Sequence, residues 1–360
     1  MSVAPGINRW VQSPFAVAWI ILVLVIAFHS PRWWILLQPN GDTVEWNRAT
    51  IYLQQCLDPW RDDLTAAVRW RFVPQVFVWS VGGGAALALT LPWFGAVALI
   101  GYLYHLIERQ SNDWCKTVCA TVVLAASGPV LVSTGWLGIN DAWFVLGLCY
   151  LAFGKYRMGL VVACLLGTFI DERFIFGLPP ALWLRAMSKP DRGFKTTLQT
   201  AAKLMLAALV PFLVSRLLGT TLGERDTARD GEFILKSLQQ SGAYLWCAPL
   251  GAWMALRFAC FPAAESWLAD LRVHKRTALI LLAVTVIPIA IGFLLASDTM
   301  RTAGIALPLC VWGTCRLVAK KSRAYWLGLA AASLLIPAAH VTYNKVMPIN
   351  SLPLELLRLF

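Results

Sequence analysis

Apolar runs of bilayer-crossing length recur along the whole of this chain, and no other feature limits its fold as strongly. A hydrocarbon core about 30 Å thick needs roughly 20 mainly apolar residues per helix. The first run covers roughly 13–30, and others follow at about 72–91, 93–107, 117–135, 142–154, 158–170, 174–187, 197–218, 241–260, 277–296, 302–319 and 325–343. Hydrophobic residues make up 58% of the 360 and charged ones 14%, against about half and a quarter in soluble chains. The runs have no period of two, which argues against a β-barrel. The expected fold is all-α: a polytopic integral membrane protein with about 8–11 helices, some of them short or broken. Residues 1–360 are expected to form a single transmembrane domain without a separate soluble one.

The first run follows one basic residue, Arg9, and gives way to His29, Ser30, Pro31, Arg32, Trp33 and Trp34. That stretch has no small-x-small cleavage site, so the run is expected to stay as a first helix. The net charge of +12 suggests topology before any nucleic-acid partner, because Lys and Arg fall in short segments between apolar runs. One basic cluster is Arg185, Lys189, Arg192 and Lys195, a second Arg272, Lys275 and Arg276, and a third Arg316, Lys320, Lys321 and Arg323. These segments are expected on the cytoplasmic side. Counting outward puts Asn140 and Asp141, Asp171 to Arg173, the 219–240 loop with Glu224, Asp226, Asp230 and Glu232, and Ser297 and Asp298 on the opposite side. Carboxylates would then gather on the non-cytoplasmic face. The parity is awkward, because two apolar segments lie between 72 and 107 where the count needs an odd number of crossings. A kink or re-entrant turn at Leu91-Pro92 is one resolution, and a later short segment that fails to cross is another.

The 31–71 stretch is too long and charged for a tight turn, and 43–57 and 60–70 inside it read as amphipathic helices lying along the interface. The nine cysteines fall mostly in or beside apolar runs, and Cys115 and Cys119 have helical spacing with no His/Cys cluster, so they read as packing residues. His105 and His340 are lone histidines.

Ionisable residues at the ends of apolar runs are costly unless paired or wet, so each is a candidate for function. Asp42 and Glu45 read equally as a helix cap or as catalytic acids. Arg69 and Arg71, around Trp70, suit an anionic head group or simple interfacial anchoring. Asp141 with Asp171, Glu172 and Arg173 could supply a base, a metal site or an ion-pair network, and an ion pair at a helix end is the simplest account of any one of them. Asp298 caps a helix and pairs with Arg301, or brings a cation to an outer cavity. There is no P-loop, dinucleotide fingerprint, HExxH or GxSxG, which removes ATP-driven and zinc-protease chemistry.

Four patches together resemble the GT-C superfamily, multi-helix glycosyltransferases that take a sugar from a polyprenyl-phosphate carrier on the non-cytoplasmic side. They are Gly41-Asp42 in the first outer loop, Arg69-Trp70-Arg71-Phe72-Val73-Pro74, the acidic helix end in DERFIFGLPPALW (171–183), and SDTMR (297–301). This chain departs from larger members in lacking a soluble C-terminal domain and an Asp-Asp or Glu-x-Asp pair in its first loop. The resemblance implies that Asp42 is the general base, with Glu45 beside it, and that Arg71, Arg173 and Arg301 hold the leaving phosphate with inversion at the anomeric carbon. Arg69, Asp141, Asp171, Glu172 and Asp298 complete the expected substrate-binding set. The resemblance fixes no cofactor and leaves room for a divalent metal, Mg or Mn. The expected partners are a lipid-linked sugar donor, a glycan, lipid or protein acceptor, and membrane lipids. The expected location is a bacterial inner (plasma) membrane. Rival expectations are a transporter or flippase of lipid-linked glycans, an O-antigen-type polymerase or ligase, and a scaffold.

Overall fold

The computed structural model describes residues 13–29, 44–61, 69–188, 194–221, 235, 239, 242–295 and 298–357. Asp42, the acidic residues of the 219–240 loop and the side chain of Glu45 lie outside the described residues. The described chain is mostly helical. Ser13 opens α1 (Pro14–Phe28) by accepting from the Ala16 amide at 3.1 Å, the usual work of an N-cap hydroxyl. Next come α2 (Val44–Leu57), matching the helix expected over 43–57, and α3 (Val73–Ser80), only eight residues long. The chain then turns through Gly82, Gly83 and Gly84, with Gly82 at φ 63°, into α4 (Ala85–Glu108).

The structure does not kink at Leu91-Pro92. The break falls at the three glycines, where the backbone is free to adopt a positive φ, and Pro92 is carried inside a continuous 24-residue helix. A proline inside a helix costs about 3 kcal/mol, and here Leu91, Pro92, Gly95 and Ala96 are all buried, so packing outweighs it. Between 72 and 108 α4 alone is long and apolar enough to cross a membrane.

Asp113 caps α5 (Trp114–Ala125), which bends by 65° into α6 (Gly128–Gly135). Then follow α7 (Asp141–Phe153), α8 (Arg157–Ile170), α9 (Arg173–Met187) and α10 (Phe194–Thr221). A 3-10 turn at Arg257–Ala259 joins α11 (Ala243–Leu256) to α12 (Cys260–Val273), and α13 (Lys275–Leu295) returns. A short α14 (Thr299–Ala303) and a 3-10 turn lead into α15 (Leu307–Leu317), followed by α16 (Arg323–Leu335). Strands β1 (Ala338–Val341) and β2 (Val346–Ile349) pair antiparallel, Ala338 opposite Ile349, before α17 (Leu352–Leu357). The hairpin corrects the helix expected over 325–343. Pro337 disfavours helical backbone at the residue before it, and the Thr342 amide closes the turn on the Lys345 carbonyl at 2.9 Å.

Among the described residues, three helical stretches are long and apolar enough to cross a membrane, Ala85–Glu108, Ala243–Val273 and Lys275–Leu294, and the bent α5–α6 pair makes a fourth if taken as one span. Side-chain contacts give their relative directions. Trp143 Nε1 donates to the Leu91 carbonyl at 3.0 Å and Tyr102 meets Tyr150 at 5.7 Å, so α4 and α7 are parallel. Arg185 near the end of α9 donates to the carbonyls of Leu151 and Gly154 at the end of α7. Ion pairs Arg316–Asp270, Lys321–Glu265 and Arg323–Asp113 gather the ends of α12 and α15 with the starts of α5 and α16. Arg185, the Arg272–Arg276 turn and the Arg316–Arg323 segment thus share one end of the bundle. Three carboxylates also sit there, which corrects the expectation that acidic residues collect on the other face alone. The Arg323 side chain of the Arg323–Asp113 pair is largely exposed, and Arg323→Ala is expected to leave the melting temperature close to that of the wild type.

Leu99, Leu103, Leu124, Phe144, Leu148, Phe174 and Trp326 form part of one continuous core. The outer faces of α8, α10 and α13 expose Val161, Leu165, Leu206, Val210, Leu213, Ile280, Val286 and Ile287. Such wide apolar faces exceed the scattered apolar residues of a soluble surface.

Candidate functional site

At the end of the bundle opposite the basic turns, four helix termini deliver charged side chains to one place. Asp171 closes α8 and Glu172 opens α9, followed at once by Arg173. Asp141 is the first residue of α7, whose Ala142 amide donates to Ser133 Oγ at 2.8 Å. Asp298 caps α14 by accepting from the Arg301 amide at 3.2 Å. Arg71 stands just before α3.

The guanidinium groups engage these carboxylates two-pronged. Arg173 donates from Nε and Nη2 to Asp171 at 2.7 and 2.5 Å, and its Nη2 lies 3.6 Å from Asp141 Oδ1. Arg301 donates from Nε and Nη2 to Asp141 at 2.8 and 2.5 Å and from Nη2 to Asp171 at 3.3 Å. Arg71 donates from Nε to Glu172 at 2.7 Å, makes a second bond from Nη2, and brings Nη1 within 3.8 Å of Asp171. Arg301 Nε also lies 3.8 Å from Asp298, and His340 Nε2 of β1 is 3.4 Å from the same carboxylate. The His340 ring stacks 4.6 Å from Trp136.

Among the described residues three guanidiniums therefore face four carboxylates. Asp141, Asp171 and Arg173 are buried, whereas the Arg71 and Glu172 side chains are 29% and 25% exposed. The network has a sealed inner half and an open outer edge. Burial opposes ionisation of Asp171, and the guanidiniums of Arg173, Arg71 and Arg301 overcome it, holding its carboxyl below the usual range. Glu172 is lowered in the same way, burial being outweighed by Arg71. For Asp298, His340, Arg301 and Arg173 outweigh burial.

Among the described residues the carboxylates of this network are not arranged for the divalent metal expected from the resemblance, and the first-loop acid Asp42 lies outside those residues. Both oxygens of Asp141 and of Asp171 are spent on guanidinium groups, and among the described residues no three His, Cys, Asp or Glu side chains converge as a metal site.

Seven expected site residues meet here: Arg71, Asp141, Asp171, Glu172, Arg173, Asp298 and Arg301. Arg69 contributes its carbonyl, accepting from Gln55 Nε2 at 3.3 Å. His340 and Trp136 were not expected, because only the fold brings them beside Asp298. Around the network the buried atoms Asn140 Oδ1, Thr168 Oγ1, Arg173 Nη1 and His340 Nδ1 have no hydrogen-bond partner, so the site keeps hydrogen-bonding capacity that its own side chains do not use.

The turn into α7 depends on Gly138, at φ 73°, where an added Cβ would lie 2.9 Å from the Tyr52 ring. Gly138→Ala is expected to cost about 1–3 kcal/mol by strain and crowding, read as a lower melting temperature in detergent. An unchanged melting temperature would show that the turn tolerates both. No protein-family model, curated protein or solved structure matches this chain, so its functional reading rests on these residues.

Proposed function

We propose that the chain is a polytopic helical protein of a bacterial inner membrane that transfers a sugar from a polyprenyl-phosphate carrier to a glycan, lipid or protein acceptor, in the manner of GT-C glycosyltransferases. The convergence of Arg71, Arg173 and Arg301 from distant segments at the carboxylate end of the bundle carries this reading. A departing lipid phosphate needs fixed positive charge more than a proton. The wide apolar faces and the three spanning-length helices support the membrane setting, and the basic clusters at the other end favour a site on the non-cytoplasmic side.

The geometry divides the arginines unequally. Arg173 and Arg301 are buried and bound to Asp171 and Asp141, so their part is to fix the charge pattern. Arg71 is the guanidinium at the open edge. In this reading it exchanges Glu172 for the donor phosphate, and the displaced carboxylate keeps the edge from binding anions indiscriminately. In this reading Asp42 is the base that the resemblance implies: it takes the proton of the acceptor hydroxyl while that oxygen joins the anomeric carbon, and the bond to the phosphate breaks with its electron pair leaving on the phosphate.

Protein in liposomes supplied with a panel of polyprenyl-phosphate-linked hexoses and pentoses is expected to form product. Arg71→Ala is expected to raise KM about 10–100-fold, the worth of one charge-assisted two-pronged contact. Asp42→Asn in folded protein is expected to slow transfer about 100-fold or more, and a wild-type rate would remove Asp42 from the reaction. Absence of transfer across the panel, with intact lipid-linked glycan crossing the vesicle membrane, would replace this reading with a flippase.

A further inference from the structure

We infer that Gln55, on α2, is a positioning residue for Arg71: it fixes the short segment that presents the Arg71 guanidinium to Glu172 at the open edge of the network. What this does to transfer rests on the transferase reading, and what it does to the Arg71–Glu172 contact rests on the geometry alone.

Gln55 is a costly side chain for its place. It is fully buried, and its partner Gln75 on α3 is nearly so. The same two helices bring together Tyr52, Cys56 and Val78, which with Ala88 and Leu91 of α4 make a small apolar core of their own. An amide taken out of water costs free energy unless its groups are bonded, and a hydrocarbon side chain of the same size would carry no such cost. Here both ends of the amide are engaged. Oε1 accepts from Gln75 Nε2 at 2.8 Å. That bond turns Nε2 toward Arg69, to whose carbonyl it donates at 3.3 Å.

These two bonds join the pieces of chain around Arg71. Gln55 belongs to α2 and Gln75 to α3, and the Arg69 carbonyl stands two residues before Arg71. On the other side of Arg71, the Phe72 ring lies 5.3 Å from Trp60 and 4.9 Å from Phe169 of α8, three residues before Glu172. The segment is therefore held at both ends, at Arg69 by α2 and at Phe72 by the helix that ends in the carboxylates. α2 is itself seated on the turn into α7, where its Tyr52 ring packs against Gly138.

An arginine side chain loses much rotamer freedom when it is fixed on a ligand. Holding the backbone on either side limits how much remains to be ordered, and small misplacements of a binding group are felt strongly. Without the Gln55 donor, Arg71 keeps its chemistry and loses its aim. In the transferase reading the loss falls on donor binding, because the phosphate is held before reaction as well as during it.

The test is a double-mutant cycle in nanodiscs with the same hexose and pentose donor panel. Gln55→Met, which keeps the size and removes the amide, is expected to raise the donor KM about 3–10-fold with kcat within about 2-fold of the wild type. In an Arg71→Ala background the same substitution should change KM less than about 2-fold, since a residue that acts through Arg71 has nothing left to position. Val78→Ala, in the same small core, is the control for a general loss of packing: it should lower the melting temperature and leave KM unchanged. An equal rise in KM with and without Arg71, or a rise in Val78→Ala to match Gln55→Met, would overturn the inference and leave the transferase reading standing. A second measurement works without turnover. Arg71 Nε donates to Glu172 at 2.7 Å, which slows exchange of its hydrogen, so nitrogen-15 spectra of arginine-labelled protein, with Arg71→Lys for assignment, report the contact. The signal should weaken or vanish in Gln55→Met and persist in Val78→Ala. A signal unchanged in Gln55→Met, or absent from the wild type, would overturn the positioning role. If no donor in the panel is turned over, the transferase reading fails, and the spectra alone decide whether Gln55 positions Arg71.

Discussion

Asp171→Asn is expected to destabilise the folded protein by about 3–5 kcal/mol, the usual result of removing one partner from a buried charge network. Asp171 accepts three bonds from Arg173, one of them from its backbone amide at 3.0 Å, and one from Arg301, and Arg71 Nη1 lies 3.8 Å away. Asparagine keeps the shape but removes the charge that three guanidiniums share, and turns one acceptor into a donor pointed at a cation. The control is Glu172→Gln at the open edge, where water can replace what is lost, expected to cost about 1 kcal/mol or less. pH dependence gives a second reading with a definite sign. The Asp171 pKa is lowered on folding from about 3.9, so its contribution is complete above that value and is lost as pH falls toward the folded one. Thermal unfolding from neutral to acid pH should therefore fall less steeply in Asp171→Asn than in the wild type. Equal losses for the two variants, or parallel acid profiles, would show that the inner half of the network is not where the stability resides.

The membership of this network was legible in the sequence, and its pairing was not. Asp141, Asp171, Glu172, Arg173, Asp298 and Arg301 each stand at the end of an apolar run, where an ionisable group needs a partner or water. Nothing local says that Arg301 spends its guanidinium on Asp141, 160 residues away, when Asp298 is three residues off. That choice follows from α7 and α14 starting at the same end of the bundle. The Asp298 cap, by contrast, was readable and is present as read. In the N-terminal third, Leu91-Pro92 is the more conspicuous interruption, yet buried packing carries α4 through it and the glycines at 82–84 take the turn. His340 gave no signal, because its neighbour Asp298 is supplied by the fold. Arg257 was hidden for the opposite reason: one cation inside the run 241–260 hardly alters its apolar average.

Arg257→Met is expected to cost about 3–5 kcal/mol, as befits several buried acceptors losing one donor. Arg257 is 2% exposed and stands at the break between α11 and α12 with φ 45°, unusual for a residue other than glycine. Its Nη1 lies 2.9 Å from His29 Nε2 and donates to the Ala126 carbonyl at 3.5 Å, while Nη2 donates to the Ile336 carbonyl. Ala126 caps the end of α5, Ile336 the end of α16, and His29 the end of α1, where its ring also meets the Ser333 carbonyl at 2.8 Å. Among the described residues no carboxylate pairs with Arg257, so the charge is balanced by the negative ends of helices, whose last carbonyls lack partners of their own. Methionine fills the same space and satisfies none of them. Lysine keeps the charge but not the fork, and is expected to recover about half of the loss. Glycine is expected to fall about 1 kcal/mol short of the methionine loss, since it relieves the left-handed backbone. Tryptophan fluorescence during thermal unfolding in one detergent ranks the three variants. A lysine variant no better than methionine would show that fork geometry, and not charge, holds the three helix ends together, and a methionine variant as stable as the wild type would remove Arg257 from the stability of the fold.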